Sequence, residues 1–159
     1  MAGLGVNITQ QIDVFLAKFP EDQRQSAVIS ALMVVQKANG GWLTEELMDQ
    51  VADYIGIPKI AVYEVATFYS LFDLKKVGKH KIYLCTNISC MLRGSKDIAK
   101  YLQAKLKVKF GQTTQDGKIT LKHAECLGAC GGAPMLQLDE TYHENLTLEK
   151  VDKLLEGLD

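Results

Sequence analysis

The sequence predicts an α+β chain: an N-terminal helical bundle over residues 1–75, followed by a small sheet domain covered by helices over 76–159. The prediction rests on a change of period. Apolar residues recur at three- and four-residue intervals through the first part, and from Lys79 onward they alternate in twos. One further observation marks where chemistry gathers. The only four cysteines form two tight pairs, Cys85-x4-Cys90 and Cys126-x3-Cys130, each placed after a strand-like run.

The helical part reads as four elements. A first helix is expected over Gln10–Phe19. Pro20-Glu21-Asp22 suits a second start, because proline is tolerated in a first turn and acids favour the positive end of the helix dipole. Val28, Ala31, Leu32 and Val35 then hold one face until Asn39-Gly40-Gly41 ends the run. Thr44 is the expected N-cap of a third helix, with Glu45 and Glu46 in its first turn, Leu47, Val51 and Ile55 along its buried stripe, and Gly56 just past its end. Pro58 opens a fourth, whose buried positions are read as Val62, Val65 and Tyr69. These stripes signify core packing, and Trp42 is expected to plug the space between helices.

In the second part, Lys81–Leu84 alternates as a half-buried strand and delivers Cys85 at its end. Gly94 or Ser95 starts a helix bearing Ile98, Leu102 and Leu106. Asp116-Gly117 is a hairpin-type turn, after which Ile119, Leu121 and His123 alternate toward Cys126. Met135–Leu138 is a further short strand, Thr141-Tyr142-His143 returns antiparallel to it, and Thr147 caps a last helix with Leu148, Val151, Leu154, Leu155 and Leu158 on its face. The order β-α-β-β-α fits a small covered sheet, as in thioredoxin-like domains. The join between the parts falls in Asp73–Gly78.

Composition excludes several roles. A formal net charge of -1 gives no field that would favour nucleic acid or an anionic membrane. No apolar run approaches the ~20 residues of a membrane span, and the start MAGLGVNITQ has neither the charged and apolar regions of a signal peptide nor an Arg-rich stretch. The chain therefore reads as cytosolic, where paired cysteines serve metal ligation better than disulfides. Gly3-Leu4-Gly5 lacks the strand and third glycine of a dinucleotide loop. Gly111–Lys118 misses the P-loop spacing, and Ile119 stands where it needs Ser or Thr. With no C-x-x-C there is no thioredoxin-type dithiol, and His80, His123 and His143 are isolated along the chain.

Four thiolates suit either a zinc ion or a two-iron cluster. Neither pair has the C-x2-C spacing of zinc knuckles, whereas C-x4-C recurs in plant-type two-iron ferredoxins, a partial likeness because there a third cysteine follows two residues later and here the other pair lies on a distant loop. Two ferric ions, two sulfides and four thiolates leave a charge of about −2, and one-electron reduction makes it about −3. Such an anion needs converging backbone N–H groups. The segment Cys126-Leu127-Gly128-Ala129-Cys130-Gly131-Gly132-Ala133-Pro134 is small enough to supply them, while Cys90 leads through Arg93 and Gly94 into a helix N-terminus. Arg93 and Lys96 read equally well as a solvated face or as charges that tune the site.

These residues resemble a known family. Cys85-x4-Cys90 followed by Arg93-Gly94, Cys126-Leu127-Gly128-Ala129-Cys130 and Ala133-Pro134 look like the two-iron [2Fe-2S] subunit of bacterial NADH–quinone oxidoreductase, respiratory complex I. Ile57-Pro58, Val65-Ala66-Thr67-Phe68-Tyr69-Ser70 and Val34-Val35-Gln36-Lys37 before Gly41-Trp42 agree, so the match runs from about Phe19 to Leu155. The resemblance implies a thioredoxin-like ferredoxin domain binding one [2Fe-2S] cluster, with Cys85 and Cys90 on one iron and Cys126 and Cys130 on the other. It implies a carrier of single electrons that does not catalyse alone. Its partners would be a flavoprotein subunit holding FMN and NADH, on which the helical part docks, and other peripheral-arm subunits. The complex would sit on the cytoplasmic side, peripheral to the inner membrane. Diaphorase subunits of NAD-linked hydrogenases and formate dehydrogenases share the motif. A structural zinc-binding interaction module stands as the alternative from another class.

Overall fold

The computed structural model describes residues 4–158. The chain divides into two compact units, one ending at Lys76 and the other beginning at Val77.

The first unit is all helical. Helix α1 spans Val6–Leu16, a turn earlier than the apolar pattern suggests, and buries Ile12 and Leu16. A 3-10 segment, Glu21–Ala27, kinks at Gln23 and passes into α2, Val28–Ala38, which buries Val28, Ala31, Leu32 and Val35. The two acids after Pro20 occupy the first turn of that segment. Helix α3, Glu45–Ile55, begins where the Thr44 side chain accepts the Leu47 N–H, and ends at Gly56 in the left-handed region. Helix α4, Lys59–Phe68, buries Ala61, Val62 and Ala66.

Two readings are corrected here. Tyr69 lies one residue beyond α4 and is 39% exposed, because the helix ends before that position can complete the inward stripe. Leu43, not Trp42, fills the core before α3; Trp42 is only half-buried, its carbonyl accepting from Asn39 Nδ2 at 3.0 Å. The choice follows from the backbone, since the Leu43 N–H donates to the Asp73 carbonyl at 2.7 Å and fixes that residue's direction. Gln36 is buried but satisfied: its amide donates to the Leu71 carbonyl at 3.0 Å and accepts the Asp73 N–H at 2.7 Å.

The second unit is a five-stranded sheet in the order β2-β3-β1-β4-β5. Its strands are β1 His80–Cys85, β2 Gln112–Thr113, β3 Ile119–Ala124, β4 Leu136–Leu138 and β5 Thr141–His143. The β1/β3 pair is parallel and the other neighbours are antiparallel. Three helices complete the unit: α5 Ile88–Leu92, α6 Ser95–Leu106 and α7 Leu148–Glu156. Ile82 and Leu84 from β1, Ile119 and Leu121 from β3, Leu136, Ile98 and Leu102 from α6 and Val151 from α7 form its core. Thr147 caps α7 by accepting the Lys150 N–H, but Leu148 stays 42% exposed because it precedes the stripe that faces the sheet. The two-residue strand β2 carries too little pattern to be read from sequence. So does α5, which encloses Cys90.

Candidate metal centre

Pairing in the sheet brings the cysteine segments together. Because β1 and β3 are parallel, their C-terminal ends lie side by side, and Cys85 pairs in register with Ala124, two residues before Cys126. Strand β4 runs the other way, so Met135, the residue leading into it, arrives at the same edge, its carbonyl accepting the Cys85 N–H at 3.2 Å. Segments distant in sequence thus meet at one end of the sheet.

Cys85 and Cys90 are buried, 3% and 1% exposed, in a small apolar cluster with Ala133 and Met135, flanked by Leu127 and Ala129. The burial of Cys90 follows from α5: Asn87 Oδ1 accepts the Ile88 N–H at 2.7 Å, and the short helix turns Cys90 inward while Ile88, Met91 and Leu92 face out. Cys126 and Cys130 are exposed, Cys130 opening a 3-10 turn over Cys130–Gly132. All four thiols are free.

The electrostatics divide the buried pair, favouring the thiolate at Cys85 and opposing it at Cys90. Burial pushes the Cys85 thiol up, but the N–H groups of Asn87 and Leu127 and the thiols of Cys90 and Cys126 outweigh it and hold Cys85 below the ordinary thiol range. Burial and then the Cys85 thiolate push Cys90 the other way, up to about 11, with the charge of Cys130 adding to the rise. Cys126 accepts the Gly128 N–H at 3.4 Å. Thiols of both pairs thus act on Cys85, and the charge of Cys130 acts on Cys90. Gly128 makes its donor available at φ 77°, a left-handed conformation that residues with a Cβ avoid.

Among the described residues, no three His, Cys, Asp or Glu side chains close round a single point as one metal ion requires. A two-iron core makes no such demand, since its sulfides bridge the irons and each iron takes only two thiolates. Four thiols brought to one end of the sheet are the donor set such a core takes. The histidines stand apart from it. His80 Nδ1 is 2.7 Å from Asp139 Oδ2, and His123, exposed on β3, meets Glu125 at 3.3 Å and the Phe110 ring edge-on. Arg93 and Lys96 are exposed. Sequence reasoning missed Asn87 and Leu127 as N–H donors and Met135 as lining; the only usable signal was an Asn at the start of a five-residue helix.

The chain is similar to known proteins over most of its length. A family model described as thioredoxin-like [2Fe-2S] ferredoxin matches residues 12–159. An NADH-quinone oxidoreductase subunit of Rickettsia conorii (strain ATCC VR-613 / Malish 7) is 44% identical over 153 residues, covering 96% of this chain and 90% of that protein. The mitochondrial NADH dehydrogenase [ubiquinone] flavoprotein 2 of Dictyostelium discoideum is 42% identical over 148 residues, 93% of this chain and 60% of that protein. The crystal structure of an NAD+-reducing [NiFe]-hydrogenase in the air-oxidized state matches with a TM-score of 0.69 over 79% of this chain and 22% of that chain. At 19% identity, that likeness shows the fold alone.

Proposed function

The chain belongs to the thioredoxin-like [2Fe-2S] ferredoxin family. On that premise we propose that it carries single electrons as a subunit of an NADH–quinone oxidoreductase, with Cys85, Cys90, Cys126 and Cys130 holding one [2Fe-2S] cluster. When bound, the cluster accepts and returns one electron at a time. Cys85 and Cys90 would hold one iron and Cys126 and Cys130 the other. The observation that carries this reading is the parallel β1/β3 register, which sets Cys85 beside the approach to Cys126. The N–H groups of Asn87, Leu127 and Gly128 offset negative charge on the sulfurs, and Ala133 and Met135 exclude water from the inner pair.

The partners follow from electron counting. A nicotinamide gives up a hydride, two electrons together, and a flavin is the usual converter to single-electron steps. FMN and NADH thus belong to a flavoprotein partner, on which the helical part over residues 1–75 docks beside other peripheral-arm subunits. No helix among the described residues is long and apolar enough to cross a membrane. The chain reaches the cytoplasmic face of the inner membrane through its assembled complex. Relatives at 42–44% identity are NADH-quinone oxidoreductase or NADH dehydrogenase proteins, which supports that host over a hydrogenase or formate dehydrogenase.

The test is spectroscopic. Full-length chain purified without oxygen and reconstituted with iron and sulfide is expected to show two-iron visible absorption and a paramagnetic signal on reduction. Cys126→Ala is expected to lose both. A colourless protein with stoichiometric zinc, or an unchanged spectrum in Cys126→Ala, would overturn the assignment.

A further inference from the structure

The loop that closes the outer cysteine pair carries a feature the ligand assignment does not use. Gly132 is buried, and the atoms beside it belong to Glu144. A Cβ built on Gly132 would collide with Glu144 Oε2 and Cδ and meet its Cβ at 2.6 Å, so the whole acidic side chain lies across the glycine where another residue would carry its own. Backbone bonds hold it there: the Asn145 N–H donates to the Gly132 carbonyl at 2.6 Å, and Leu146 N–H to the Pro134 carbonyl at 2.9 Å. The nearby cation is turned elsewhere, since Lys150 Nζ donates to the carbonyls of Asn145 at 2.8 Å and Glu144 at 3.5 Å. An exposed carboxylate thereby lies against the turn that begins at Cys130.

Resting on the cluster assignment above, we infer that Glu144 is a charge-positioning residue that holds down the reduction potential of the sulfur-ligated centre. The distance is bounded by chain geometry. Gly132 lies two residues from Cys130, at ~3.8 Å per Cα step, so the carboxylate oxygen is within about 11 Å of the Cys130 Cα. For a centre whose charge sits about 11 Å from the carboxylate, removing one unit charge favours the reduced form about twofold in a water-like dielectric and about tenfold at the effective dielectric of a protein surface. The sign is fixed, because the electron entering on reduction adds to an anion that the carboxylate already opposes. A tenfold change in the oxidised-to-reduced ratio is about 59 mV for a one-electron couple.

The experiment is an anaerobic redox titration of the reconstituted full chain, read by visible absorption and paramagnetic resonance, for wild type, Glu144→Gln and Glu144→Lys. The midpoint is expected to rise in Glu144→Gln and to rise about twice as far in Glu144→Lys, with the paramagnetic line shape retained. Both offsets should shrink as salt is raised from about 0.01 M to about 1 M, where the screening length falls from ~30 Å to ~3 Å. Unchanged midpoints would overturn the inference, as would equal shifts in both variants or shifts indifferent to salt, which indicate a merely structural contact. Should both variants lose the centre that wild type retains, Glu144 is a structural clasp and the inference fails. A wild-type chain with no two-iron spectrum would instead refute the ligand assignment itself, and this inference with it.

Discussion

Two glycines of the same loop give a controlled test of how its backbone is held. Gly128 sits at φ 77° with nothing within 4 Å of a built Cβ, so Gly128→Ala meets no steric obstacle and changes only conformational energy. An alanine forced into the left-handed region costs about 1–2 kcal/mol. Gly131 likewise has open space around a Cβ but lies outside that region, so Gly131→Ala is free of the cost. Both substitutions remove the same freedom from the unfolded chain, worth about 0.4–1 kcal/mol, and the term cancels in the comparison. The difference between the variants is thus about 1–2 kcal/mol. At 4–8 °C per kcal/mol for a unit of this size, Gly128→Ala should melt about 4–16 °C below Gly131→Ala. The assay is thermal loss of the visible absorption of the reconstituted chain, with iron and sulfide measured beforehand to establish equal loading. Gly128→Ala is also expected to lose colour faster in the presence of a chelator, because displacing its N–H weakens the donor to Cys126. Coincident melting curves, or a larger loss in Gly131→Ala, would refute the reasoning from backbone conformation.

Two further expectations concern the fold that carries the site. Leu84, fully buried one residue before Cys85, should cost about 2–5 kcal/mol when replaced by alanine, whereas Leu92→Ala, 77% exposed on α5, should stay within about 0.5 kcal/mol; denaturant unfolding of both variants checks the contrast. Asp152 on α7 accepts from Lys105 and Tyr101 of α6, and those hydrogen bonds, Lys105 first, hold its carboxyl below its ordinary value of 3.8. A carboxyl depressed in the folded state stabilises above that ordinary value and loses its contribution as pH falls through the folded one. Asp152→Asn should therefore melt below wild type near pH 7 and converge with it as pH falls below that ordinary value and through the depressed one, as followed by far-ultraviolet circular dichroism.

How much of this was legible in the sequence differs by element. Thr44, Gly56 and Thr147 were readable as helix boundaries because a cap is a local hydrogen bond or a local φ, and structure within a few residues decides both. Val28, Leu32 and Val35 were readable because a continuous 3.6-residue stripe admits one buried face. Tyr69 and Leu148 were misread for one reason: a stripe does not say where its helix stops contributing to a core. Trp42 and Leu43 are adjacent and both apolar, and the bond from Leu43 N–H to the Asp73 carbonyl, thirty residues away in sequence, decides which one turns inward. Strand β2 and helix α5 are too short to show a period at all.

For the site, the chain's own order of residues determined the donor chemistry: four thiols in two pairs, set among glycines and alanines that let backbone N–H groups approach. Only the folded sheet decided that those pairs meet. Cys85 and Cys126 are forty-one positions apart, and it is the parallel register of β1 on β3, with β4 reversed beside them, that carries both to one edge. Tertiary packing also made the pairs unequal, burying Cys85 and Cys90 and leaving Cys126 and Cys130 at the surface, and it laid Glu144 over Gly132. Ligand identity is a property of side chains and is written along the chain. Proximity, burial and the placing of charge arise from non-local pairing, which no single segment encodes.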